Sequence, residues 1–304
     1  MDPITHGMFG ALLKGLGFGR KGALGTLAVS SMLPDIDLVT RLLGTDALLL
    51  YHRGITHSLL SVALSPVIVA YVVTWKRRGK DFMYYYALSF LGLSLHVYMD
   101  LTTKYGVQLL YPLDGTFFSL YQVFILDPVI TGALVLFVVL SMKRVQWTVP
   151  LARGILALII VYYGARVFLH DSASRFLSRS MERHAIKNVS PVPGGILRWW
   201  FVAAGEDGSM KTGVVDLFMQ RVYVHTTYPP QDYTKEMELS KRARSVRSLL
   251  KFSRFPYASQ REDHDGMTVV RWEDLTFSYL PGGHFVAEAA IDSEGKISNE
   301  RLNL

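Results

Sequence analysis

Long apolar runs separated by short polar loops occupy the chain up to about residue 170. Four of the runs are close to the roughly 17–25 residues that a helix needs to cross a bilayer. The pattern therefore predicts four membrane-spanning helices, over Leu59–Trp75, Phe82–Met99, Phe124–Met142 and Pro150–Leu169.

Two shorter apolar runs, Met8–Leu13 and Ala23–Leu33, precede these four and are separated by a basic, glycine-rich stretch. Each run is short for a membrane span. We interpret the pair as a tight helical hairpin packed against the longer helices, and whether it spans or re-enters the membrane is left open.

The tail from Ser172 to Leu304 contains no further spanning run. Several of its segments are rich in β-branched and aromatic residues and are bounded by Gly and Pro, as is typical of strands. The predicted fold is a mainly α multispanning membrane helix bundle (residues 1–171) followed by a C-terminal α+β extramembrane domain (residues 172–304). The predicted elements of the tail are strands over Leu197–Ala204, Val214–Tyr228, Met267–Tyr279 and His284–Ile291, and a basic helix over Leu239–Phe252.

Composition supports this division, because 50% of the residues are hydrophobic and only 19% are charged. Soluble domains carry about 25% charged residues, so disorder and an ordinary soluble enzyme are both disfavoured. The chain has no cysteine, which excludes disulfides, thiolate metal sites and a cysteine nucleophile. Its first residues include no basic stretch of the kind that begins a cleaved signal peptide.

The net charge of +7 arises largely in short loops between the apolar runs, so nucleic acid is not an expected partner. If the spans alternate, the loops at 14–21, 76–80 and 143–153 share one side of the membrane. Basic residues concentrate in cytoplasmic loops. We therefore expect a bacterial inner-membrane protein whose other face, including the C-terminal domain, is extracytoplasmic.

Histidine and acidic residues cluster near that predicted extracytoplasmic face. Ionisable groups at membrane depth are costly and tend to be paired, bound to metal or functional. Neutral imidazoles and carboxylates together suit zinc, manganese or iron. The residues concerned are His6, Asp35, Asp37, His52, Arg53, His57, His96, Asp100 and Asp127.

Spacing indicates which of these side chains can converge. His96 and Asp100 are four residues apart, so on a helix they lie on one face. Asp35 and Asp37 follow a proline and can face a common centre in an extended turn. Each pair also has a simpler explanation, as a helix cap or a helix-end hydrogen bond, and for Asp127 before Pro128 we favour capping. Several such residues on one face favour a metal site.

A divalent ion at such a site lowers the pKa of its bound water and acts as a Lewis acid on a phosphoryl or carbonyl oxygen. Asp37 or His52 can then take the proton from the water. The planar fork of Arg53 suits a phosphate group. A site at the lipid–water boundary favours an amphiphilic substrate.

Four motifs resemble the signature of the membrane-bound metal-dependent hydrolase family, which includes LexA-regulated inner-membrane proteins of bacteria. The resemblance covers about Met1 to Leu169, and the His-Arg-Gly-x-Thr-His-Ser element is its most specific part. The motifs are Asp2-Pro-Ile-Thr-His6-Gly, Leu33-Pro-Asp-Ile-Asp37, His52-Arg-Gly-Ile-Thr-His57-Ser and Asp100-Leu-Thr-Thr-Lys-Tyr-Gly106.

The resemblance implies a metal-dependent hydrolase that is distantly similar to zinc-dependent phospholipase C and P1-type nucleases. It also implies one to three bound ions, zinc or else manganese or iron. The ligands that it implies are His6, Asp35, His57, His96 and Asp100, with Asp37 and His52 nearby. From the chemistry described above, the expected catalytic residues are Asp37, His52 and Arg53.

The leading hypothesis is thus a phosphoesterase acting on a membrane lipid or lipid-linked headgroup. One alternative is a non-catalytic, metal-stabilised membrane anchor whose soluble domain binds a partner. A transporter is a weaker alternative, because transporters tend to show internal repeats and sites near the bilayer midplane. The oligomeric state is left open.

Overall fold

The computed structural model describes residues 1–143, 147–263 and 266–304. These residues form two compact units. The first combines Met1–Asp37 with Arg53–Phe168, and the second combines Leu38–His52 with Leu169–Leu304. Residues 144–146, in the third predicted basic loop, lie outside the described residues.

The first unit is helical. Its helices are joined by 3₁₀ segments at Leu33–Leu43, Ile55–His57 and Trp75–Arg77. The helices are α1 (Pro3–Gly15), α2 (Ala23–Met32), α4 (Leu59–Thr74), α5 (Phe82–Leu101) and α6 (Pro128–Lys143), with α3 (Thr45–Tyr51) in the second unit and α7 (Thr148–Ser180) continuing from the first unit into the second.

The prediction of a multispanning bundle with four long spans is wrong. Within the described residues, two helical stretches are long and apolar enough to cross a membrane, Ala23–Leu43 and Thr148–Ser180. A third is counted only if Thr45–His57 and Leu59–Thr74, which are bent by 67° at their junction, form one broken span.

Length and polarity explain the difference. Helix α6 has only 16 residues, below the length that a span requires. Helix α5 has 20 residues, but four tyrosines, His96 and Asp100 lower its mean hydropathy. The stretch Ala23–Leu43, in contrast, gains length because the 3₁₀ segment continues directly from α2.

Helices α1 and α2 form a tightly packed hairpin whose contact depends on a glycine. A Cβ on Gly10 would stand 2.8 Å from the Ala28 Cα and from the Leu27 backbone oxygen, so only glycine allows the backbones this close. Leu27 is fully buried and packs with Leu13 and with Leu88 of α5. This packing brings the start of α1 and the end of α2 beside α5.

The second unit contains two four-stranded antiparallel sheets, and the strands of each sheet lie side by side in chain order. The first sheet follows α7 directly, and two short helices lie between the sheets in the chain. The elements are β1 (His184–Pro191), β2 (Arg198–Gly205), β3 (Met210–Asp216), β4 (Arg221–Tyr228), α8 (Lys235–Ser240), α9 (Arg244–Phe252), β5 (Pro256–Glu262), β6 (Thr268–Asp274), β7 (Val286–Ile291) and β8 (Ile297–Asn303).

The first sheet packs on the end of α7. Ala173 and Leu177 of the helix are fully buried against Trp199, Phe201 and Val215 of the sheet. The two sheets are joined by Trp200, whose indole nitrogen donates a hydrogen bond to the Leu275 backbone oxygen at 3.0 Å. The end of α7 thus anchors the first sheet, which Trp200 links to the second.

The tail differs in detail from its sequence pattern. The predicted helix Leu239–Phe252 is two helices, α8 and α9, which are separated by a turn at residues 241–243. Strands β1, β5 and β8 lie outside the predicted strand segments. Strands β5 and β8 each contain four consecutive exposed polar residues and lack the apolar alternation on which the prediction relied.

Candidate metal centre

Three separate parts of the first unit bring acidic and imidazole groups together. Asp35 lies in the 3₁₀ segment after α2, His57 ends the short 3₁₀ turn before α4, and His96 and Asp100 lie one turn apart near the end of α5. One possible ligand atom from each of the four lies within 4.8 Å of the others, and all four residues are buried.

The spacing of these atoms fits a tetrahedral ion. His57 Nε2 lies 3.0 Å from His96 Nε2, 3.3 Å from Asp100 Oδ2 and 3.7 Å from Asp35 Oδ1. His96 Nε2 lies 3.7 Å from each of the same two carboxylate oxygens. Ligands at the usual zinc distances are about 3.3 Å apart in a tetrahedron, so these five separations are close to the required value.

The hydrogen bonds of the two imidazoles indicate which ring nitrogen carries the proton and which faces the other ring. His96 Nδ1 donates to the Ser31 backbone oxygen at 2.6 Å, and His57 Nδ1 lies 3.0 Å from the Thr56 hydroxyl. With the proton on Nδ1, each Nε2 carries a lone pair, and the two lone pairs face each other. Such lone pairs repel unless a cation lies beside both.

Asp35 provides the second sign of a cation. The residue is buried, and neither of its carboxylate oxygens has a hydrogen-bond partner within the described part of the chain. A buried carboxylate without partners is costly, whereas a carboxylate bound to a metal is not. The donor set of two imidazoles and two carboxylates therefore fits a divalent ion.

Arg53 binds the carboxylate of Asp100. The guanidinium contacts both carboxylate oxygens, with Nε 2.9 Å from Oδ2 and one terminal nitrogen 3.0 Å from Oδ1. Its other terminal nitrogen donates to the Thr103 hydroxyl at 3.0 Å, and the guanidinium carbon lies 4.8 Å from the centre of the Tyr105 ring. Arg53 is fully buried, so its fork is occupied by protein groups.

The backbone of Arg53 is also fixed. Its φ of 64° lies in the left-handed region, which is uncommon for a residue with a side chain. Its N–H donates to Asp37 Oδ2 at 2.9 Å, and its carbonyl accepts from the Gln108 N–H at 2.9 Å. These bonds tie the His-Arg-Gly loop to the segment that follows α5.

Asp37 lies beside His57 Nδ1, the ring nitrogen that does not face His96. Its Oδ2 accepts from the Thr56 hydroxyl at 2.6 Å and lies 3.3 Å from His57 Nδ1. A carboxylate behind a ligating imidazole orients the ring and raises its basicity. Asp37 is thus placed to hold His57 in position.

His6 lies beside the four-residue group. Its ring stacks on that of His96 with 3.6 Å between the centroids, and its Nε2 lies 3.3 Å from Asp100 Oδ1. Asp2 caps α1 by accepting from the Thr5 N–H, which places His6 in the first turn of that helix. His6 therefore approaches the Asp100 oxygen opposite the one that faces His57.

Two of the predicted residues are not part of this four-residue group. His52 follows α3 and is the last residue of the segment Leu38–His52, which belongs to the second unit. Asp127 accepts from the Val129 N–H and from the Tyr162 hydroxyl, consistent with the capping role that we favoured.

Sequence reasoning missed Thr56, Thr103 and the Ser31 carbonyl, which position His57, Arg53 and His96. Thr56 and Thr103 lie inside the quoted motifs, so their position there was an available signal. The Ser31 carbonyl had no such signal, because a backbone oxygen carries no information in sequence.

Comparison with known proteins extends the motif evidence. The family model described as "YdjM inner membrane protein" matches residues 1–173, more than half of the chain. The "Uncharacterized protein YfhP" of Bacillus subtilis (strain 168) is 29% identical over 141 residues. That region covers 43% of each protein, so this chain spans less than half the length of that relative. No solved structure matches.

These descriptions confirm the predicted resemblance to a family of inner-membrane proteins. Neither of them refers to a hydrolase or a nuclease, so that part of the resemblance stays a prediction. The matched residues 1–173 include every residue of the candidate metal centre. The chain belongs to the YdjM inner membrane protein family.

Proposed function

We propose that this protein is a metal-dependent hydrolase of the inner membrane that cleaves a phosphoric ester. The observation that carries the proposal is the convergence of His57, His96, Asp35 and Asp100 on one buried point, with two imidazole lone pairs facing each other. A divalent ion, with zinc as the first candidate, would supply a Lewis acid and an acidified water there.

Other groups of the chain hold the two imidazole rings in position. Asp37 and Thr56 hold the His57 ring, and the Ser31 carbonyl holds the His96 ring. In this proposal Asp37 also remains a candidate for accepting a proton, as does His52.

The substrate class follows from the membrane setting. The residues of the centre lie in or beside helices of an inner-membrane protein, close to Ala23–Leu43, which is long and apolar enough to span. A phospholipid or a lipid-linked phosphate presents its ester near a membrane surface, whereas a soluble metabolite has no reason to concentrate there. We therefore propose a lipid phosphoester as the substrate.

The first experiment measures metal. Purified full-length protein is expected to carry zinc, manganese or iron in mass-spectrometric analysis, and His57→Ala and Asp100→Ala are expected to lose most of it. His225→Gln, which alters an exposed histidine of the second unit, is the matched control and should keep the metal. Undiminished metal in both site variants would refute the assignment of the ligands.

The second experiment measures activity. Detergent-solubilised protein should release a phosphate-containing or alcohol product from a panel of phospholipids, and chelation should stop the release. Addition of the divalent ion after chelation should restore it. Metal-loaded protein that releases no product from any member of the panel would leave the metal site standing and contradict the substrate class.

The burial of the centre favours a second function, a metal-stabilised membrane anchor. His57, His96 and Asp100 are almost completely buried, as is typical of closed structural metal sites. For an anchor, chelation should lower the unfolding temperature of the first unit while no substrate is turned over. For the enzyme, chelation should stop product release, and addition of the divalent ion should restore it.

A further inference from the structure

The first sheet of the second unit places two β-turns side by side at one end. The pairs that close the two turns are Pro191 with Trp199 and Asp216 with Arg221, and Arg198 pairs with Asp216 between them. The turns at residues 192–197 and 217–220 therefore leave the same end of the sheet. They are joined by a hydrogen bond of 2.9 Å from the Leu217 N–H to the Leu197 backbone oxygen.

The second of these turns has a defined conformation. Asp216 Oδ1 accepts from the backbone N–H groups of Phe218 and Met219 at 3.0 Å each, and Asp216 Oδ2 accepts from Arg198 Nε at 2.8 Å. Gln220 has a φ of 50°, in the left-handed region, and its side-chain amide donates to the Leu217 backbone oxygen at 2.6 Å.

This ordered turn presents apolar side chains outward. Phe218 is 75% exposed and Met219 is 55% exposed, and Ile196 of the neighbouring turn is 48% exposed. We refer to these three residues as the apolar tip. Large apolar side chains held outward by a well-bonded turn, together in one patch, mark a surface that contacts an apolar medium or partner.

Helix α7 shows where this end of the sheet lies relative to a membrane. Within the second unit, His170 Nε2 donates to the Val189 backbone oxygen at 3.0 Å, and the His170 ring lies 5.5 Å from that of Trp199. Trp199 and Val189 stand next to the two turns in the register. The apolar tip therefore lies at the level of His170 along α7.

His170 is also the point at which α7 changes character. The helix is apolar over residues 150–169 and polar from His170 to Ser180, and it is one of the two stretches that can span. A helix that crosses a bilayer with its apolar part emerges near His170. The end of the sheet that lies at this level then faces the lipid–water boundary.

The charges around the apolar tip fit that boundary. Arg198 and Arg221, the first residues of β2 and β4, are both exposed beside the turns. Apolar side chains that enter the acyl boundary, with basic side chains at the level of the phosphates, form the usual pattern of an interfacial anchor.

From these placements we infer that the apolar tip inserts into the interface of the bilayer that α7 spans, so that the first sheet is held against the lipid surface. The occupant of this patch is lipid, not a second copy of the chain or another protein. The inference concerns the second unit and is independent of the hydrolase proposal.

The experiment uses the absence of cysteine from the chain. Phe218→Cys in the full-length protein is labelled with an environment-sensitive fluorophore and reconstituted in vesicles of phosphatidylcholine and phosphatidylglycerol. Glu206→Cys is the matched control, because it lies in the exposed turn between β2 and β3 at the opposite end of the sheet. The two sites are separated by about 23 Å, the length of an eight-residue strand.

We expect the label at position 218 to show blue-shifted emission and about threefold stronger quenching by nitroxide-bearing lipids than the label at position 206. Equal quenching at the two positions would overturn the inference. A blue shift at position 218 without quenching by lipid nitroxides would also overturn it, because a protein partner would then cover the tip. Both substitutions lie in exposed turns, and folding of each variant is checked by its thermal unfolding and its resistance to limited proteolysis.

Discussion

At the scale of single residues, Arg53 explains why the most specific motif contains an arginine between two histidines. A fully buried guanidinium is costly unless its donors are satisfied. Asp100, Thr103 and the Tyr105 ring satisfy them. The geometry therefore favours Arg53 as a residue that positions Asp100, whereas the phosphate-binding role predicted from the sequence requires a fork that is free for substrate.

The role of Arg53 can be tested with Arg53→Lys. Lysine keeps the charge but cannot contact both oxygens of Asp100 as a planar fork does. Loss of a residue that orients a metal ligand typically lowers metal affinity by about 10–100-fold, and we expect a loss of this size in chelator competition. Arginine and lysine are equally strained at a φ of 64°, so backbone strain does not contribute to the difference in metal affinity.

Arg198→Lys is the matched control, because Arg198 is exposed in the second unit. It should leave the metal affinity unchanged. An unchanged affinity in Arg53→Lys would contradict the positioning role and would leave the phosphate-binding prediction as the better explanation of this residue.

A second residue-scale prediction concerns pH. Burial raises the pKa of Asp274 above its usual range, although hydrogen bonds from Thr276 oppose the shift. The folded chain then binds more protons than the unfolded chain, so this group's contribution to stability falls as the pH rises from about 4, the unfolded pKa, through the raised value.

Asp274→Asn removes this titration. We expect the urea midpoint of the variant, relative to wild type, to rise as the pH increases from about 4 to 7, since asparagine stays neutral when buried. Tryptophan fluorescence of the detergent-solubilised chain follows the transition. A constant difference across this pH range would show that Asp274 does not titrate as inferred.

At the scale of elements, the α1–α2 hairpin decides whether the centre forms. Helix α1 carries His6, and α2 carries the Ser31 carbonyl that fixes His96. The two helices meet at Gly10, where no space remains for a side chain. Close backbone packing through small residues is a common mode of helix association in membranes.

Gly10→Ala tests this contact. The added Cβ would meet backbone atoms that cannot rotate away, so we expect the helices to separate and the protein to lose metal and thermal stability. Gly25→Ala in α2 is the matched control, because a Cβ there meets no atom within 4 Å. Equal metal content and unfolding temperature in the two variants would contradict the role of the hairpin.

At the scale of the whole molecule, the chain divides into a metal-centre unit and a sheet-containing unit that have separate buried cores. The two units are not continuous in sequence, because Leu38–His52 belongs to the second unit, where helix α3 packs against α9. The family match covers residues 1–173 and thus stops shortly before the sheets begin.

Separate cores predict separable stability. Phe201→Ala should cost the second unit about 3–5 kcal/mol, the usual loss for a fully buried phenylalanine. We expect limited proteolysis to cut within residues 184–303 while metal content stays at the wild-type level. Phe218→Ala, which truncates an exposed phenylalanine, should resist proteolysis like wild type. Simultaneous loss of metal in Phe201→Ala would show that the two cores unfold together.

The sequence by itself determined which residues are candidates for the metal site and where the chain changes from apolar to polar. The His and Asp motifs, the apolar runs and the change of character near residue 170 are local patterns, and local patterns are readable without a structure. The membership of an inner-membrane family followed from the same motifs and is confirmed.

Only the tertiary structure decided how many stretches can span, which oxygens and nitrogens face one another, and that His52 belongs to a different unit from His57. Each of these depends on contacts between segments that are far apart in the chain. Such contacts are set by close packing and by the geometry of turns such as the left-handed Arg53, and neither periodicity nor composition carries that information.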